Sequence, residues 1–320
     1  MFRRARYSMG LAAIAAIGPA CNSFGEFDAD VAQVELGVDA PLEAVTHDHA
    51  FERIYVVSPS GVVVDDVGNR WNLPGALHDV IDVEGDLEDV EVAPRLIVVG
   101  ADGFVASARH PEGAAIEFEV EDVGTDADLW AVAAERDKQL RIVIVGDDVL
   151  IAGTEDEHGK LIWTHPPAPS DGWGPLRDVS LTAGCAVGQA GRMLCTSDDV
   201  FDGWDVIELD TDVNLNSFCA YSSGDVVGDS GTMVTYDGQA WRVVRLQPGV
   251  DLLACTLLHV QPLLVGANQT IYTVDDLQGL DPLHELDWQP RALDPQVGTM
   301  LVGENGRAGR LYQSDGLVLH

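Results

Sequence analysis

Seven times along the chain a short apolar run ends in a tight turn, and this recurrence limits the fold more than any other feature. Val-Gly pairs close such runs at Val99-Gly100, Val145-Gly146, Val187-Gly188, Val227-Gly228, Val265-Gly266 and Val302-Gly303. They recur at roughly 40 residues, the length of a propeller blade. One period before Gly100 stands Ser58, at the end of RIYVVS, and it supplies a seventh slot. A second glycine follows three residues after the slot at Gly61, Gly103, Gly191, Gly231 and Gly306. Apolar runs such as GFVA, RMLC, TMVTY and TIYTV then return. Other Val-Gly pairs, at 67–68, 123–124 and 297–298, fall out of phase. The phased pattern therefore carries the argument, and the dipeptide alone does not.

Physically the unit is a hairpin: an apolar strand enters a turn that needs glycine or a small polar residue and returns as a second strand. In the clearest copy, Asn216–Tyr221 reads as an inner strand and Asp225–Gly228 as the second. Thr232–Tyr236 reads as the third and Trp241–Leu246 as the outer one. Four strands in about 40 residues make a propeller blade. Blades stack face to face, so both faces of a strand are buried and its runs are continuously apolar. With 46% hydrophobic residues the chain can fill such a core. No amphipathic helix of more than three turns stands out, and Ala131 to Arg136 reads as an inner strand and its loop. The expected fold is all-β, a seven-bladed β-propeller of four-stranded blades. Its blades fall at roughly 44–75, 85–121, 126–165, 176–209, 213–247, 251–286 and 290–320.

The copy VVGDSGTMVTYDGQAW at 226–241 resembles repeats of the BNR and photosystem-assembly-factor type, in which a Val-Gly turn, a Gly-Thr-Ile strand and an Asp-Gly turn precede Trp. Thr235 to Trp241 is similar to a shortened Asp-box of that family. Asp202-Gly203-Trp204 is a poorer copy and Asn69-Arg70-Trp71 a remnant. The resemblance spans 44–320 as a pattern and implies a bacterial propeller. It implies no particular activity, because such folds host many functions. Trp71, Trp163, Trp204 and Trp241 recur at one phase after their slots, which predicts packing between blades.

The first twenty residues read as a secretory signal peptide. Arg3, Arg4 and Arg6 precede a short apolar stretch from Met9 to Ile17, and small residues Gly18 and Ala20 precede Cys21. A cysteine directly after the cut resembles a bacterial lipoprotein signal, in which that residue, here Cys21, is lipidated. Ordinary cleavage at the same bond would leave Cys21 unmodified. By that resemblance, Asn22 rather than Asp after the cysteine favours the outer membrane over the inner one. Residues 21–43 read as an acidic tether, although Val31 to Leu36 could form a strand that pairs with the last blade and helps close the ring. The expected protein is exported, periplasmic or extracellular if not lipidated.

With 18 basic and 53 acidic residues, the chain has a formal charge of −35. That balance excludes a nucleic-acid backbone as partner and docking of the body on anionic lipid. It suits solubility, or a basic partner.

Export permits disulfides among Cys185, Cys195, Cys219 and Cys255, which allow three pairings. Cys185 and Cys195 sit symmetrically about the turn at Ala190 and could face each other across one hairpin. Cys219 and Cys255 fall in innermost strands of neighbouring blades. Four buried thiols are the alternative, and the spacing suits no zinc motif.

Catalytic chemistry is thinly represented. His47 and His49 would share a strand face and offer at most two metal ligands. Acids at 126–128, 147–148, 198–199 and 210–212 read as solvated turns, because calcium needs six or more oxygens. A sialidase-like hydrolase needs an arginine cluster and a Tyr nucleophile, and the nearest string to that family's Arg-Ile-Pro is Arg53-Ile54-Tyr55. No nucleophile elbow, zinc-protease helix or phosphate loop is present. The stiff loop from His165 to Pro175 carries Trp173, a candidate partner contact unless it folds back over the propeller edge. The expectation is a non-enzymatic scaffold without cofactor, acting as a single chain on another envelope protein and touching the membrane through a lipid alone. A carbohydrate-active enzyme and a sugar- or calcium-binding module are the alternatives. Three arginines converging on one end of the central channel would favour the enzyme.

Overall fold

The computed structural model describes residues 29–48, 53–83, 94–109, 115–136, 139–196, 199–201, 203–219, 224–258, 261–274, 279–294 and 300–313. It is a seven-bladed propeller of four-stranded antiparallel sheets. From the inside outward, blade 1 holds Ala44–Asp48, Arg53–Ser58, Val62–Asp65 and Arg70–Asn72. Blade 2 holds Leu77–Val83, Arg95–Gly100, Val105–Arg109 and Glu119–Glu121. In blade 3 they are Leu129–Arg136, Leu140–Gly146, Val149–Glu155 and Leu161–Thr164. Blade 4 follows with Leu176–Ser180, Cys185–Gly188, Met193–Cys195 and Asp205–Val206. Blade 5 has Leu215–Phe218, Val226–Gly228, Thr232–Tyr236 and Trp241–Arg245. Leu252–Leu258, Gln261–Gly266, Thr270–Val274 and Leu280–Glu285 make blade 6.

Blade 7 is built from both ends of the described chain. Pro290–Asp294, Met300–Gly303 and Arg307–Gln313 are joined by Ala29–Glu35 as the outer strand. The register runs from Ala29 opposite Gln313 to Glu35 opposite Arg307. Part of the expected tether is thus a structural strand, because the backbone edge of 307–313 would otherwise stay unpaired. Two blade limits also differ from expectation. Blade 2 begins at Leu77 rather than 85, because Leu77, Val80 and Val83 turn into the core and carry the inner strand past the Gly75 turn. Blade 7 takes its fourth strand from 29–35 rather than from the C-terminal end.

The continuous apolar runs have the expected cause. In the second strand of blade 2, Ile97 and Val99 face blade 3 while Leu96 and Val98 face blade 1. In blade 3, Ile142 and Ile144 face blade 2 while Val143 and Val145 face blade 4. Among the described residues there is one apolar cluster between each pair of neighbouring blades, which closes the ring. Trp71 lies edge-on to Phe118 across the blade 1–2 junction, and Trp204 is buried between blades 3 and 4.

The slot glycines have a packing reason. A Cβ on Gly100 would lie 2.0 Å from the carbonyl oxygen of Ala76, where the chain enters the same blade. A Cβ on Gly103, which has φ +69°, would lie 1.9 Å from the carbonyl oxygen of Thr125, where the chain enters the next blade. The turn is thus clamped between two entry segments, and only a bare backbone fits. Among the described residues no helix is long and apolar enough to cross a membrane.

Candidate functional site

In six of the seven blades the inner strand starts with a buried apolar residue, followed by one residue out of register. Leu77 pairs with Gly100 and Asp79 with Val99, so His78 is extra. The same bulge frees Trp130, Arg177, Asn216, Leu253 and Arg291. In blade 1, Glu43 holds the equivalent place just before the Ala44–Val57 pair. A bulge re-aims a side chain at the end of a strand. Six of these seven positions, together with Pro59, line one cavity of about 380 Å³ at the mouth of the channel. Every blade but the sixth thus contributes at least one side chain to one site.

Within it, three neighbouring blades build a stack. The His78 and Trp130 rings lie 4.3 Å apart and nearly parallel. The Arg177 guanidinium lies 4.2 Å from the centre of the Trp130 ring. In blade order Trp130, of blade 3, comes between His78 of blade 2 and Arg177 of blade 4. Its Nε1–H donates to Asp147 at 2.8 Å, and a His78 ring nitrogen meets the carbonyl of Leu129 at 2.9 Å. Arg291 pairs with Glu43 and approaches Glu304 at 3.8 Å. Asn216 spends its amide hydrogens on Asp229, at 2.9 Å, and on the Leu252 carbonyl, at 2.8 Å. Arg177 makes no ion pair with any described residue.

One step below the mouth lie Asp79 and Asp178, in the matching tetrapeptides Leu77-His-Asp-Val80 and Leu176-Arg-Asp-Val179. The Asp79 carboxylate accepts from Val80 N–H in its own blade and from Val132 N–H in the next, both at 2.8 Å. Asp178 accepts from Val179 and Phe218 in the same way, both at 2.7 Å. Each carboxylate thus staples two inner strands. Burial in the channel wall raises Asp79 to about 7, with the Asp178 charge adding to the rise against the two backbone donors. Burial likewise raises Asp178 to about 6.

A second polar cluster lies at the far ends of the strands, between blades 2 and 3. Arg95, Arg109 and Arg136 converge on Glu155 at 2.8, 3.0 and 2.9 Å. Burial disfavours the Glu155 charge, but Arg136 and Arg95 outweigh it and hold the carboxyl below its ordinary range. Arg95 also donates to Ser107 and to the Gly159 carbonyl. The arginine trio is therefore filled by the protein's own carboxylate. Two arginines, Arg177 and Arg291, reach the channel mouth.

The residues singled out in the sequence fall as follows. Cys185 and Cys195 are disulfide-bonded across the blade 4 hairpin, and Cys219 and Cys255 are bonded between blades 5 and 6. Trp173 is not a surface contact: it is 8% exposed and packs between blades 3 and 4. Arg192 pulls its loop inward, donating to the Trp173 carbonyl and pairing with Asp171. His47 is buried in the inner strand of blade 1, while Cys21 and His49 lie outside the described residues. Among the described residues no three metal-ligating side chains meet. Turn acids cap turns: Asp237, in the Asp-box copy, accepts from Gln239 and Ala240, and Asp156 from His158 and Lys160. Tyr55 is buried, and burial pushes its hydroxyl far above the ordinary range, unlike an activated nucleophile.

Neither a protein-family model nor any curated protein matches the sequence. Solved propellers share the fold alone. A catalytically inactive variant of virginiamycin B lyase from Staphylococcus aureus, solved with quinupristin, superposes at TM-score 0.62 and 9% identity, covering 89% of this chain and 99% of its own. YCF48 from Cyanidioschyzon merolae superposes at TM-score 0.66 and 10% identity, covering 88% of this chain and 98% of its own.

Proposed function

We propose that this chain is a non-enzymatic propeller of the cell envelope, a scaffold or assembly factor that binds another protein over its channel mouth. The observation that carries the reading is the ring of bulged side chains, in which most blades offer one residue to a shared cavity. Bulges cost ladder hydrogen bonds, and here their repeated use builds a surface. The acidic body, at −35, would speed the approach of a partner with a basic face. The two disulfides suit an exported protein. Cleavage and lipidation at Cys21 would leave eight residues before the closing strand, a reach of at most about 29 Å from the bilayer. The carbohydrate-binding alternative is weaker, because its natural stacking platform, Trp130, is already engaged by His78 and Arg177.

The test is in-cell crosslinking of the tagged full chain, followed by identification of what co-purifies from solubilised envelope. A reproducible envelope protein, lost with Arg177→Glu and kept with the control Arg70→Glu, is the expected result. No partner above control would sink the scaffold reading.

A further inference from the structure

We infer that the channel mouth is a carboxylate-binding pocket with Arg177 as its anchoring donor. This rests on the reading that the mouth is the binding face, and it names the chemistry bound there.

Three observations converge. The cavity, about 380 Å³, lies within the usual ~300–1,000 Å³ of small-ligand sites. Arg177 lines it with its guanidinium carbon over the Trp130 ring, 4.2 Å from its centre, and the indole also stacks with His78. A contact with a ring face uses none of a guanidinium's N–H donors in a hydrogen bond, and its paired donors match a carboxylate. None of the described carboxylates takes those donors, although the chain holds 53 acidic residues. The second arginine of the mouth is already matched, since Arg291 is paired with Glu43. Asn216 is likewise committed through its amide hydrogens, which leaves Arg177 as the donor open to a ligand.

The acidic body does not forbid an anion here. Fields from exposed charges decay over about 8 Å at physiological ionic strength, so contacts inside the cavity dominate at close range. The ligand carboxylate belongs either to a small free acid or to an Asp or Glu side chain of a docked protein. In the second case the acidic body attracts a basic surface and the single carboxylate sets its register.

The test follows the Trp130 indole N–H resonance of the ¹⁵N-labelled full chain, identified with Trp130→Phe. Probes are glutarate, neutral glutaramide, inorganic phosphate, and a blocked pentapeptide with one Glu beside its Gln counterpart. Glutarate and the Glu peptide should move the resonance, while glutaramide and the Gln peptide should not. Movement with glutarate alone would support the pocket and point to a small free acid. Arg177→Gln should weaken binding at least tenfold with an unchanged melting curve. Arg177→Lys, which keeps charge but loses the fork, should fall between. The proposal is overturned if no carboxylate probe moves the resonance, if phosphate binds as well as glutarate, or if Arg177→Gln binds like wild type. A partner captured in the crosslinking experiment would survive any of those results, so the two readings fail separately.

Discussion

Removing the carboxylate of Glu155 should be among the most damaging single changes on the polar side of this fold. Its side chain is 12% exposed, as is that of Arg136, and that of Arg95 is 6% exposed. Glu155→Ala leaves both guanidinium groups buried without their counter-charge, a situation that costs about 3–5 kcal/mol. Arg109, at 46% exposed, adds less than about 1 kcal/mol. The total is about 4 kcal/mol, which lowers Tm by about 8 °C at the roughly 2 °C per kcal/mol of a large domain. Glu155→Gln keeps an acceptor but loses the charge. Because charge-assisted hydrogen bonds are roughly twice as strong as neutral ones, it should cost about half as much. Thermal and urea unfolding of the oxidised protein would measure both. A loss below about 1 kcal/mol for Glu155→Ala would refute the reasoning. So would equal losses for Arg109→Gln and Arg95→Gln, because burial would then not be the source of the cost.

Asp79 and Asp178 titrate higher folded than unfolded, so the folded state holds extra protons between about pH 4 and 6 to 7. Their contribution to stability is full at low pH and is lost as pH rises through that window, at up to about 1.4 kcal/mol per pH unit per group. Unfolding midpoints at pH 5 and 8 should differ less in Asp79→Asn/Asp178→Asn than in wild type, and an unchanged difference would remove this account. Glu155 has the opposite sign: its contribution is present above the unfolded carboxyl range and is lost in acid. Gly103→Ala should cost several times what Gly68→Ala does, because both have positive φ but a Cβ at 68 meets open space; urea midpoints compare them. Replacing the 219–255 disulfide with two serines should cost about 4 kcal/mol, against about 3 for the 185–195 pair, since it closes the longer loop. Equal losses would show that chain entropy does not govern either bond.

The blades are legible in the sequence because their signal is redundant. Val98-Val99-Gly100 and its counterparts must be apolar on both faces, six of the seven are bare at the turn where blade 1 has Ser58, and the copies reinforce one another. The mouth is not legible, because a bulge changes register by one residue without changing composition. His78, Trp130 and Arg177 share a preceding buried leucine, Leu77, Leu129 and Leu176, and a buried valine two residues on, Val80, Val132 and Val179. This Leu-x-x-Val pattern, with Asp at its third place in two copies, is a faint clue, because it stands at a different distance from each Val-Gly slot. Trp173 misleads for a related reason. A tryptophan in a Pro- and Gly-rich loop looks exposed until Arg192, nineteen residues on, is seen to hold its carbonyl.

The closing strand also sets an order of events. Ala29–Glu35 precedes every other strand of the propeller in the chain, and its hydrogen-bonding partner, Arg307–Gln313, follows them all. Until Arg307–Gln313 has been made, the seventh blade lacks its edge and the first blade lacks a neighbour on one side. A half-made propeller is therefore an open arc whose earliest strand waits unpaired, and the ring closes only when Arg307–Gln313 comes back to meet it.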